Sequence, residues 1–83
     1  MDLADVVGSV GVTLILVAFL ANLAGKLAGG SAVYQALNAV GAALAATSSV
    51  MVGFWPFVVL EGVWCLAALL ALARVRPFAS GER

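Results

Sequence analysis

The sequence predicts an all-α membrane fold of three transmembrane helices, and three observations lead there. The chain has 83 residues, 65% of them hydrophobic and only 10% charged, where a soluble globular domain carries about one quarter charged residues. A soluble core of this size is hard to stabilise without disulfides or a metal. One cysteine and no histidine supply neither an internal disulfide nor a nitrogen and sulfur metal site. The apolar residues are also gathered into three stretches, residues 6–23, 31–52 and 55–73, with Glu61 their only charge. A helix rising about 1.5 Å per residue needs about 20 residues to cross a hydrocarbon core about 30 Å thick, so each stretch is long enough. The expected organisation is a single domain over residues 1–83, with helices at about 4–24, 31–52 and 55–75 and a short cytoplasmic tail over 76–83.

The first helix opens with Leu3 and Ala4 and is flanked by Asp2 and Asp5. A secretory signal peptide would carry a basic flank there, so an uncleaved membrane helix is expected. Along it, Ala4, Gly8, Gly11, Ala18 and Asn22 approximate one stripe of small or polar residues. The stretch "AGKLAGGS" then combines three glycines, Lys26 and Ser31. Ser31 is a good N-cap for a second helix.

On the second helix Tyr34, Asn38, Gly41, Ala45 and Ser48 follow 4, 3, 4, 3 spacing and share a face. Leu37, Val40, Leu44 and Met51 fall elsewhere and suit lipid. "VGFWP" ends this helix at Gly53 and starts the third with Pro56 in its first turn. A connection that short makes the second and third helices antiparallel neighbours. On the third, Phe57, Glu61, Trp64, Ala68 and Ala71 make a matching stripe. Small residues on converging faces let membrane helices approach closely.

Direction follows from basic residues. With three crossings, Lys26, Arg74, Arg76 and Arg83 share one side, whereas Asp2 and Asp5 share the other with no lysine or arginine. The positive-inside rule then places the N-terminus outside and the C-terminus in the cytoplasm, in the inner (plasma) membrane as a multi-pass protein.

Glu61 is the most demanding residue, because a carboxylate in hydrocarbon is costly unless it has a partner or a task. Antiparallel counting from the second turn puts it level with Ser48, between Thr47 and Ser49, with Ser9 at similar depth on the first helix. A polar layer is therefore expected about one third of the way in from the outside. There Glu61 is either neutral and donating to Ser48 or Thr47, or charged in a wet cavity. Functionally it would bind an ion, a proton or a substrate; structurally it would be interhelical glue. Asn38, in the inner half, admits the same two readings, with glue favoured. Trp64 is expected to pack as a buried aromatic against Ala42 and Ala45, with a pocket wall as its alternative. Tyr34 and Trp55 suit the two interfaces as aromatic belt residues. Cys65, in apolar surroundings, is expected to be inert.

"YQALNAVGA" followed by "WPFVVLEGVW" resembles a family of small bacterial three-helix integral membrane proteins of unassigned function. Tyr34, Asn38, Gly41, Pro56, Glu61 and Trp64 carry that resemblance, which spans most of the chain. In length, helix number and direction the chain is more distantly similar to the bacterial half-transporters of the SWEET type, which work as homodimers around a substrate pocket. Their helix-one Pro-Gln hinge pair is replaced here by Ala21 and Asn22, and their helix-two Trp and helix-three Asn stand exchanged, as Asn38 and Trp64. No sugar-binding role carries over.

The functional expectation is a homo-oligomer that forms a small-solute or ion pathway, with Glu61, Asn38, Trp64, Ser48 and Tyr34 as the candidate pathway or interhelical residues. The alternative is an accessory or scaffold subunit of a larger membrane complex. An enzyme is not expected, since one carboxylate without histidine, a second acid or a metal set makes no acid and base pair. No cofactor or metal is implied. Expected partners are the lipid bilayer, further copies of the chain and a different membrane protein. A formal net charge of zero excludes a general affinity for nucleic acid, which needs a basic patch.

Overall fold

A computed structural model describes residues 1–74. The expected tail over 76–83, with Arg76 and Arg83, lies outside the described residues.

Three α-helices follow one another: α1 (Leu3–Leu23), α2 (Ala32–Val52) and α3 (Trp55–Arg74). Each is long and apolar enough to cross a membrane. The start of α1 is held by a reciprocal cap in which the Asp2 carboxylate accepts from the Asp5 amide at 3.0 Å and the Asp5 carboxylate accepts from the Asp2 amide at 3.2 Å. Both otherwise unpaired donors are thus satisfied by neighbouring acids. Ser31 caps α2 as expected, its hydroxyl accepting from the Tyr34 amide at 3.1 Å. Gly53 ends α2 in the left-handed region, at φ 74°, a conformation that costs other residues about 1–2 kcal/mol.

The first connection is pinned by two side-chain amides. Asn22 donates to the Leu27 carbonyl at 2.8 Å, and Gln35 donates to the Gly29 carbonyl at 3.0 Å. Loop carbonyls that helix geometry leaves open are closed in this way by residues of the helices on either side.

The helix α2 lies in the middle, and α1 and α3 each pack against it while barely meeting each other. Its buried residues, Asn38, Ala39, Gly41, Ala42, Ala45 and Ser49, therefore spread over two faces. By contrast α1 buries Ala4, Gly11 and Ala18, and α3 only Ala68. The α1 stripe expected from the sequence is the face that meets α2. Gly11 and Gly41 sit at the crossing: a methyl built on Gly11 would lie 2.6 Å from the Gly41 carbonyl oxygen, and one on Gly41 2.7 Å from that of Gly11. The two backbones touch because neither residue has a side chain.

One expectation about α2 is corrected here. Leu44 does not lie on a lipid-facing side; its Cβ stands 2.9 Å from where a Gly11 methyl would be, against α1. A central helix has two partners, so a single small-residue stripe could not describe its buried surface. Most large apolar side chains on α1 and α3 point outward, among them Leu16, Phe19, Leu20, Val59, Val63 and Leu66. In water such a surface would be an extended exposed apolar patch, whereas hydrocarbon suits it.

Candidate functional site

The polar residues of the helices form two separate sets, because α2 stands between the elements that carry them. On the α1 side, the Ser48 hydroxyl donates to the Ala4 carbonyl at 2.7 Å. Gly8 makes room for it, since a methyl there would meet the Ser48 oxygen at 2.7 Å. Ser48 is thus spent on a helix-to-helix tie. Thr47 turns back on its own helix, donating to the Ala43 carbonyl at 2.8 Å, and is exposed. Ser9 is exposed on α1.

On the α3 side, the Trp64 indole N–H donates to Asn38 Oδ1 at 3.2 Å, and Asn38 Nδ2 donates to the Tyr34 carbonyl at 2.9 Å. One residue further along both helices, the Cys65 thiol donates weakly to the Ala39 carbonyl at 3.5 Å. Asn38 is only 5% exposed, and its amide is oriented at both ends, so the pair forms a fixed polar point within an apolar wall. Trp64 differs from the expectation: it is 50% exposed rather than buried against Ala42 and Ala45. Its N–H needs an acceptor in a dry environment, and Asn38 draws the ring to the edge of the α2–α3 contact.

Glu61 is placed differently from the expected layer. It lies two turns from the buried Ala68, on the same side of α3, and is partly buried. The Cys65–Ala39 contact fixes the relative depth of the helices, and one turn toward the second connection puts Glu61 opposite Ala43 rather than Ser48. Since Ser48 also faces α1, the two cannot meet. Among the described residues no side chain hydrogen-bonds the Glu61 carboxyl.

The polar pair lies in an open groove of about 390 Å³ along the α2–α3 seam. Gln35 and Asn38 line it from α2, and Leu60, Val63 and Trp64 from α3. Ala67, Ala68 and Ala71 leave the space by being small. Glu61, Ser48 and Tyr34 do not line it. Gln35 was not singled out in the sequence, where it is one amide beside a more conspicuous tyrosine. Its position three residues before Asn38, on the same helical face, was the available signal. Among the described residues no group of acids, cysteine or histidine is placed to hold a metal.

No curated protein and no solved structure matches the chain. A sequence model of an uncharacterised protein family matches residues 4–78, which takes in all three helices, and the chain belongs to that family.

Proposed function

We propose that this is an integral membrane protein whose copies assemble side by side and use the α2–α3 groove as the wall of a small-solute pathway. The observation that carries the reading is the Asn38–Trp64 pair, set in a groove that opens on the outer face of the bundle. Trp64 is half exposed and Asn38 is buried directly behind it, so polar groups lie just beneath a surface that otherwise presents valine, leucine and phenylalanine to hydrocarbon. That placement is costly unless they serve a task or are covered. Three helices in which α1 and α3 barely touch cannot enclose a path, so a path requires more than one copy. The N-terminus is outside and the C-terminus cytoplasmic, in the bacterial inner membrane, as the placement of Lys26 and Arg74 opposite Asp2 and Asp5 supports. Glu61, outside the groove, would serve an ion rather than the solute.

The test is flux from proteoliposomes of the purified protein, read for small neutral solutes and for protons. Expected is a solute flux lowered by Asn38→Leu and by Ala67→Leu but retained in Glu61→Gln. A proton flux lost in Glu61→Gln and indifferent to the groove variants would move the pathway to Glu61. The second reading, an accessory subunit, is favoured by α3, which buries one residue and leaves most of its surface free. Recovery from gently extracted membranes only in complex with a different protein, together with no flux, would establish it.

A further inference from the structure

We infer that the α2–α3 groove binds an uncharged amphiphile, with a hydrogen-bonding head at its Gln35 and Asn38 end and an apolar body along Leu60 and Val63. This names the ligand class of the proposed pathway and rests on that reading for the groove's role. Four observations carry it.

First, the groove is sized for a small molecule: about 390 Å³ falls within the roughly 300–1,000 Å³ of ligand sites. Second, among the described residues none that lines it is charged. A bare ion or a charged head entering it from hydrocarbon would find no counter-charge, which makes the cost of its desolvation prohibitive. Third, the polarity runs along the groove. Counting from the Cys65–Ala39 contact, Gln35 and Asn38 lie toward the first connection, where the chain returns to water, and Leu60 and Val63 lie deeper. Fourth, hydrogen-bonding capacity remains at the polar end. Gln35, partly exposed, uses its nitrogen on the Gly29 carbonyl, which leaves its oxygen as an acceptor for the head. Asn38 behind it, with its amide bonded to Tyr34 and Trp64, keeps that end polar. Entry is from the side, since Leu60, Val63 and Trp64 are all about half exposed.

The chain carries its own reporter. It has two tryptophans: Trp64 lines the groove, and Trp55, 59% exposed at the start of α3, does not. Trp55→Phe leaves the groove indole alone, and Trp64→Phe leaves a control that senses partition into the surrounding detergent or lipid. The probes are 8-bromo-octan-1-ol, 8-bromo-octanoate and 8-bromo-octylammonium, whose bromine quenches indole fluorescence. Expected is saturable quenching of Trp64 by the alcohol, with only a linear rise at Trp55, and no saturable component from either ion. Ala67→Leu, which fills the groove from an exposed position, removes the saturable component. Gln35→Leu weakens it about tenfold, the loss of one hydrogen bond to the head.

Linear quenching at both indoles would overturn the inference, as would either ion matching the alcohol. Shielding of Trp64 from all three probes while Trp55 is quenched would also overturn it, showing that a second copy of the chain occupies the groove. Because binding is read without flux, saturable quenching in a protein that conducts nothing would retain the site and refute only the pathway.

Discussion

At Gly11 and Gly41 a single methyl decides whether two helices can touch. Gly11→Ala is expected to cost about 1–3 kcal/mol, by driving a carbon into the Gly41 carbonyl at 2.6 Å. Gly62→Ala on α3 meets open space and is expected to gain about 0.5–1 kcal/mol from helix propensity. Unfolding of micellar protein followed by circular dichroism checks both. The contrast between them is the informative quantity, since a general intolerance of glycine replacement would lower both. For Asn38 and Trp64, a double-mutant cycle of Asn38→Leu and Trp64→Phe is expected to give a coupling of ~0.6–2 kcal/mol. Zero coupling would show that the 3.2 Å contact holds nothing. The residue types in these pairs were legible in the sequence, but their partners were not. Ser48 and Glu61 looked like one layer because a count from the turn fixes neither how far α3 slides along α2 nor which way each side chain points around its helix.

Among the elements, the middle place of α2 determines what each polar residue meets. It follows that Gly8 and Ser48 approach closely while Ser48 and Glu61 do not. With Cys65 replaced by serine, the pair Gly8→Cys and Ser48→Cys is expected to cross-link under mild oxidation, and the pair Ser48→Cys and Glu61→Cys to stay reduced. Disulfides form only where Cα atoms come within about 7 Å, so gel mobility reads the packing order directly. A cross-link in the second pair would restore the single polar layer. The ends of the helices were readable from Ser31, Gly53 and Pro56, because caps act within a few residues of the chain. The reciprocal Asp2 and Asp5 cap was missed in the sequence, where the two acids served only as a flank; acids three apart ahead of an apolar run are its signal.

For the whole molecule, the distribution of basic residues predicts an orientation that labelling can check. A cysteine placed at Lys26, which is exposed in the first connection, is expected to react with a membrane-impermeant maleimide only after the cytoplasmic face is opened. One placed at Asp2 should react in intact cells. The reverse pattern would invert the topology while leaving the bundle as it is, since packing within the three helices does not depend on which face is cytoplasmic.

The sequence by itself determined that the chain is all-helical, that it has three helices long enough to span a bilayer, and that Ser31 opens the second while Gly53 closes it. These follow from composition, hydrophobic length and local capping, which depend on residues near one another in the chain. Only the tertiary structure decided that α2 is central, that Ser48 serves α1, that Trp64 stands half exposed against Asn38, and that a groove remains where Ala67, Ala68 and Ala71 face Gln35. These depend on how far each helix is rotated about its axis and slid along its neighbour. Rotation and sliding are set by the summed fit of many small contacts, above all the Gly11–Gly41 crossing, and no single residue spacing in the sequence encodes them.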